Sequence, residues 1–414
     1  MTFRAGWLRP TLAIRAAPLS PYYPIFRGRS FISIRIAHRH YSRSSYVYGG
    51  NPWQSRLQAS FTNPTETTIK AQTAFSTKAQ SQSHPAAENN PIIHDIFEPK
   101  TGTWQYIVAD KSTLIAIIID PVLDYDPATQ TITTHTADSL LDLIKQRGYT
   151  IERILETHAH ADHLTAASYL QNRLARIQGH KPLIGLGKRI TQVQELFSKR
   201  YGIPMPECEG VFDTLFHDDE SFTIGESTAT TVHLPGHTPD HLGYKIGGKY
   251  DLPSHHRIDT LMNISPLTNT ERTDNVFCGD SLFNPDIGTA RADFPGGSER
   301  DLFISGRKLL ELPDYVKIWT GHDYPPETRE GGPVSWMSVG NHRERNKFLH
   351  DGIDEDEFVV MREKRDRELR EPRLLHQSLQ MNIRGGRLPS PGPGSGENGY
   401  RLLHLPLKMG GVEW

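Results

Sequence analysis

The chain has 414 residues, a formal net charge of −2, 36% hydrophobic and 23% charged residues, which is room for one large domain or two ordinary ones. Its two cysteines, Cys208 and Cys278, have no C-x-x-C spacing and do not suggest a disulfide framework. The longest apolar run, Leu114–Ile119, falls far short of the ~20 residues of a membrane-spanning helix. The charge is unevenly spread. Residues 1–65 hold nine arginines and no lysine or acidic residue, which leaves 37 of the 46 basic and all 48 acidic residues in the remainder. That acidic remainder argues against nucleic-acid binding. The acid-free, Arg- and Ser-rich start has the composition of a mitochondrial transit peptide over residues 1–45 and predicts a mature protein in the matrix. Arg4, Arg9 and Arg15 interleave with Phe3, Trp7, Leu8, Leu12 and Ile14, as in a basic amphipathic helix, and Arg39-His40-Tyr41-Ser42 resembles a processing site. Residues 46–90 are polar, without apolar periodicity, and read as a disordered linker.

Paired strands are predicted over Thr103–Val108 and Ser112–Ile119, the second buried on both faces and stopped at Asp120-Pro121. Ala137–Arg147 has helical spacing and stops at Gly148. Ile151–Glu156 reads as a strand leading into Thr157-His158-Ala159-His160-Ala161-Asp162-His163, which sets four potential metal ligands within six residues. Leu164–Leu174 reads as a helix, so Asp162 and His163 are expected to open it, where free N–H groups favour a carboxylate. A strand over Leu183–Gly187, a helix over Ile190–Tyr201 and strands over Glu220–Gly225 and Thr228–Leu234 follow. The last of these runs into Pro235-Gly236-His237, which leaves His237 on a tight loop. His241, four residues on, reads as structural or as a support for neighbouring ligands. Leu242–Ile246 is a strand, and Gly247–Asn275, with His255 and His256, reads as a long surface insertion. Asn275–Gly279 forms a strand ending at Asp280. Asp301–Leu312 is an amphipathic helix, and Val316–Trp319 is the last expected strand, followed by His322, Asp323 and Tyr324. Residues 346–370 are charged and helical, Leu374–Pro389 packs back on the domain, and Pro391–Gly399 is flexible. No role is read for the last fifteen residues.

The H-x-H-x-D-H stretch resembles the signature of the metallo-β-lactamase superfamily, and His237, Asp280 and His322 match its later ligand positions in order. The resemblance implies an α/β fold, an αββα sandwich over residues 91–345 with the metal site at one edge between two sheets, preceded by a disordered extension and followed by a C-terminal segment, 346–414, that packs on it. It implies one metal at His158, His160, His237 and Asp280 and a second at Asp162, His163 and His322, with Asp280 bridging. Two filled sites suit hydrolysis; a single site of two histidines and one carboxylate suits an Fe(II) oxygenase. Gly288-Thr-Ala-Arg-Ala-Asp-Phe-Pro-Gly-Gly297, His322-Asp323-Tyr324 and Asn382-Ile383-Arg384 resemble the persulfide dioxygenases, over roughly Ile92 to Pro389. That resemblance implies one Fe(II) per chain at His158, His237 and Asp280, glutathione persulfide and O2 as substrates, sulfite and glutathione as products, and Arg291 and Tyr324 at the substrate. Arg291 either forks a substrate carboxylate or pairs with Asp293. The 247–275 insertion, the charged stretch near 350–370 and Gly385 depart from the group. The alternative is a glyoxalase-II-type hydrolase of glutathione thioesters with two Zn(II), and a third class is a non-catalytic metal-binding protein. The resemblance leaves a homodimer open.

Overall fold

A computed structural model describes residues 90–247, 274–392 and 401–406. The arginine-rich start, almost all of the linker, nearly the whole 247–275 insertion and most of 391–399 and of the last fifteen residues lie outside the described residues. In chain order the first elements are β1 (Ile92–Glu98), β2 (Thr103–Ala109), β3 (Ile115–Ile119), β4 (Val122–Asp126), β5 (Thr131–Thr133), α1 (His135–Arg147), β6 (Thr150–Leu155), β7 (Leu164–Thr165), α2 (Ala167–Gln178), β8 (Leu183–Gly187) and α3 (Ile190–Tyr201). Next come β9 (Thr214–Phe216), β10 (Ser221–Ile224), β11 (Ser227–His233), β12 (Leu242–Ile246), β13 (Asn275–Gly279), α4 (Glu299–Leu310), β14 (Lys317–Thr320) and β15 (Trp336–Ser338). The chain closes with α5 (Val339–Arg345), α6 (Glu355–Glu368) and α7 (Leu375–Asn382).

Two six-stranded sheets form, in the orders β1-β2-β3-β6-β8-β9 and β10-β11-β12-β13-β14-β15. Alternation along each strand builds three apolar layers. Trp104, Tyr106 and Val108 of β2 and Ile117 and Ile119 of β3 meet Phe222, Tyr244, Phe277 and Trp319 between the sheets. Ile107, Ala116 and Ile118 point the other way, onto Leu140, Leu170, Phe197 and Leu379 of α1, α2, α3 and α7. Val276, Cys278 and Ile318 of the second sheet pack on Leu302, Leu309, Val339 and Phe358 of α4, α5 and α6. The result is the αββα sandwich. As the unbroken apolar run at β3 predicts, that strand is covered on both faces.

Three expectations are corrected. Asp162 and His163 do not open a helix: Leu164 and Thr165 pair antiparallel with Leu123 and Val122 of β4, and α2 begins only at Ala167. Side-chain spacing alone cannot see a two-residue pairing that straightens the backbone. The last strand is β15, not the one after α4; it pairs antiparallel with β14 at Trp319↔Trp336, and its three residues are too short to carry a period. The 346–370 stretch is helical only over 355–368, because Asn346 accepts from the N–H groups of Phe348 and Leu349 and ends α5 in a turn. The edge strand β1 also had no signal of its own, since its residues are only partly buried against β2.

Candidate metal centre

β3, β6 and β8 run parallel, as do β13 and β14, and β11 shares the direction of β13 through the antiparallel β12. The loops that leave the C-terminal ends of β6, β11, β13 and β14 carry His158 to His163, His237, Asp280 and His322, and all seven side chains meet. They form two groups, within each of which one ligand atom per residue lies within 4.8 Å of the others. The first is His158, His237 and Asp280; the second is His160, Asp162, His163 and His322. In the first, Asp280 Oδ2 stands 3.6 Å from His237 Nε2 and 4.0 Å from His158 Nε2. In the second, His322 Nε2 stands 3.2 Å from Asp162 Oδ2 and 3.6 Å from Asp280 Oδ1. His160, expected with the first group, belongs to the second. Asp120 Oδ1 and Glu156 Oε2 each lie 3.1 Å from its Nε2, and they turn the ring.

The hydrogen bonds fix which nitrogen of each ring is free. His237 Nδ1–H donates to the Arg291 carbonyl at 2.7 Å, and a carbonyl only accepts, so in the tautomer able to ligate Nε2 holds the lone pair. Thr157 Oγ1 gives its hydrogen to Asp120 Oδ2 at 2.8 Å and therefore accepts from His158 Nδ1 at 3.0 Å. His322 Nδ1–H donates to the Gly102 carbonyl at 3.2 Å. Nδ1 of His163 faces Asp162 at 3.1 Å. The atoms left over, His158 Nε2, His160 Nδ1, His163 Nε2 and Asp280 Oδ1, are buried and without hydrogen-bond partners. Converging unpartnered imidazole lone pairs and a carboxylate oxygen are what a cation's donor set requires; without one they carry an uncompensated desolvation cost. The residues fit a metal ion.

Burial, then the neighbouring imidazoles, hold His158 well below its ordinary value, so the ring is neutral and able to ligate. Burial opposes charging of His160 too, but Asp120 and Glu156 outweigh it and raise the group. Burial also works against the Asp162 carboxylate, yet His322 and His163 hold its pKa far down.

Several residues support the candidate ligands, and of these Asp240 gave no sequence signal. His241, read as structural, accepts the Asp280 N–H on Nε2 at 3.0 Å and stacks on His158, with centroids 4.8 Å apart. Asp240 Oδ2 accepts the Ala159 N–H. Asn382 Nδ2 donates to the carbonyls of His160 and His163, and its Oδ1 accepts from Thr165 N–H, each at 2.8 Å. The Arg291 guanidinium is already engaged with both oxygens of Asp293 and with the Arg370 carbonyl, the pairing foreseen as the alternative to substrate contact. Tyr324 is half exposed and stacks on His322 at 5.6 Å and 7°.

A family model of the metallo-beta-lactamase superfamily matches residues 101–249. Glyoxylase B2 of Dictyostelium discoideum is 38% identical over 321 residues, 77% of this chain and 98% of that protein. The chain belongs to the metallo-β-lactamase superfamily. Within it, the mitochondrial persulfide dioxygenase ETHE1 of Bos taurus is 26% identical over 296 residues, 71% of this chain and 89% of that protein. The crystal structure of ETHE1 from Myxococcus xanthus superposes with a TM-score of 0.51 at 22% identity, covering 72% of this chain and all of that one. That superposition supports the fold. Among the described residues, no helix is long and apolar enough to cross a membrane.

Proposed function

We propose that this member of the metallo-β-lactamase superfamily is a mononuclear iron dioxygenase that converts glutathione persulfide, O2 and water into glutathione and sulfite. The observation that carries the reading is the grouping of His158, His237 and Asp280 alone, two imidazoles and one carboxylate, while Asp120 and Glu156 turn His160 elsewhere. Similarity to a persulfide dioxygenase along most of both chains supports it, as does the Gly288–Gly297 run. Bound there, Fe(II) supplies redox chemistry and open positions for a sulfur anion and O2. The protein contributes the rest. His237 and His158 are locked as acceptors at Nε2. Asp280 brings one negative charge, which leaves the site cationic enough to attract an anionic persulfide. Tyr324, at the outer face of His322, offers an aromatic wall for the substrate. Carboxylate recognition by Arg291 requires the substrate to exchange with Asp293. Residues 1–45 direct the chain to the mitochondrial matrix and 46–90 link them to the catalytic domain.

A second reading has a specific observation behind it. The complete second group, His160, Asp162, His163 and His322, with Asp280 Oδ1 beside His322, suits a two-metal hydrolase of glutathione thioesters, and Glyoxylase B2 is the more similar of the two relatives. Metal per chain, persulfide-dependent O2 uptake and S-lactoylglutathione hydrolysis, measured on wild type, His237→Ala and His322→Ala, separate the two. The dioxygenase predicts one iron, O2 uptake and negligible thioester cleavage, loss of both iron and uptake in His237→Ala, and retained iron with lowered uptake in His322→Ala. Two zinc ions per chain and rapid thioester cleavage without O2 uptake overturn it.

A further inference from the structure

α6 belongs to the charged stretch that departs from the resembling family, and it is an unusual helix. Its buried residues are Phe358, Arg362 and Asp366, one stripe at four-residue spacing. Two of the three are charged, and their side chains are only 4% exposed. A buried ion pair gains little stability over an apolar pair of the same size, so its value must lie in what it holds. Arg362 Nη2 binds Asp366 Oδ1 at 2.6 Å, and Arg362 Nη1 reaches the Thr289 carbonyl at 3.3 Å. The other oxygen of Asp366, Oδ2, accepts the Ala292 N–H at 2.9 Å. That N–H shares a peptide plane with the Arg291 carbonyl, the acceptor of His237 Nδ1–H.

A continuous line therefore runs from carboxylate to peptide to imidazole. We propose that Asp366, pinned by Arg362, is a positioning residue for the metal ligand His237 and acts through the Arg291–Ala292 peptide. A carboxylate bound directly to a ligand histidine fixes the ring and raises its basicity. Here an amide is interposed. Negative charge at its N–H pushes electron density onto its carbonyl oxygen, and hydrogen bonds in series strengthen one another. Asp366 thus both aims the carbonyl and strengthens its hold on Nδ1–H, which makes Nε2 a better donor to a metal. The flanks of this peptide are also tied or crowded. Arg291 Nη1 is tied to the Arg370 carbonyl just beyond α6, and a Cβ at Gly297 would overlap the Ala292 carbonyl and stand 3.0 Å from that of His237.

The inference rests on His237 being a metal ligand, so His237→Ala serves as the reference. On full-length protein, Co(II) affinity is measured by chelator competition, and the His237 Nδ1–H resonance by nitrogen-edited NMR. The variants are Asp366→Asn, which keeps shape and removes charge, and the pair Arg362→Met with Asp366→Leu, which keeps α6 packed with no charge buried. Both are expected to weaken Co(II) binding about tenfold and to move the Nδ1–H resonance upfield, while far-ultraviolet circular dichroism is unchanged. Wild-type affinity and resonance in either folded variant overturn the relay. If His237→Ala still holds Co(II) as tightly as wild type, the ligand assignment itself is wrong. If it loses Co(II) while the Asp366 variants do not, only the relay fails. Should both variants unfold, wild type decides by hydrogen exchange: coupling is reciprocal, so Co(II) must slow exchange of the 289–293 amides, and unchanged exchange overturns the proposal.

Discussion

Asn382 offers the sharpest energetic test, because it does three things with one amide. It donates to the carbonyls of His160 and His163 and accepts from Thr165 N–H, all at 2.8 Å and all buried. Its position at the end of α7 ties the C-terminal arm to the ligand loop. Truncation to alanine removes three hydrogen bonds at about 1 kcal/mol each, or roughly 3 kcal/mol in all. For a domain of this size that corresponds to a fall in Tm of roughly 6–12 °C, taking the lower range of size-dependent values. Asn382→Asp is the decisive comparison. It is the same shape and keeps an acceptor for Thr165, but it sets a carboxylate against two carbonyl oxygens. The predicted order of stability is therefore Asn, then Ala, with Asp no better than Ala. Metal-stripped protein, melted under circular dichroism, isolates the hydrogen bonds from any effect of ion binding. A fall of less than about 2 °C for Asn382→Ala, or an Asp variant clearly more stable than Ala, refutes the account.

Asp280→Asn should abolish activity and most metal binding, since it removes the one carboxylate of the His158–His237–Asp280 group; metal analysis of the purified variant checks this. Gly321→Ala should lose metal while staying folded, because its Cβ would overlap Asp280 Oδ1 and lie 3.0 Å from the Gly279 carbonyl carbon; the readout is metal content beside an unchanged dichroism spectrum. His342, buried on α5 and accepting from Asn346 Nδ2, is pushed by burial from 6.5 to about 4. Below pH 6.5 the unfolded chain takes up a proton that the folded chain refuses, so stability falls with pH until about pH 4. Between pH 7 and 5 the loss from this group is roughly 2 kcal/mol, and His342→Gln should remove that part of the urea-unfolding difference. A reporter fused to residues 1–45 should concentrate in mitochondria; a diffuse cytosolic signal refutes targeting.

The seven candidate ligands stood out because the dense His158–His163 pattern resembles the superfamily signature and His237, Asp280 and His322 match its later positions; Pro-Gly before His237 and Gly before both Asp280 and His322 also mark sharp turns. The sandwich was legible through the family resemblance. The resemblance implied its layers, and the residues themselves showed that one central strand, β3, carries an unbroken apolar run covered on both faces. The place of His160, with the second group rather than the first, was not legible. It depends on Asp120 and Glu156, which look like ordinary strand-end acids until the fold brings them to one imidazole nitrogen. Asp366 was hidden for the opposite reason. It sits in a stretch so rich in charge that a solvated face is the natural reading, and only packing reveals the one stripe turned inward. Arg291 had two readings, and chemistry alone could not choose between them; the Asp293 carboxylate two residues away occupies the fork.

The first sheet supplies its ligands from the loop after β6, and the second supplies His237, Asp280 and His322 from the loops after β11, β13 and β14. An ion seated among them is therefore a rivet through the sandwich as well as a reagent. Binding only the folded chain, at a free concentration a hundredfold above Kd, adds about 2.7 kcal/mol to its stability. Part of that resistance to opening would be withdrawn when the ion is scarce. If the site is filled, scarcity of the ion would therefore lower stability as well as idle the site.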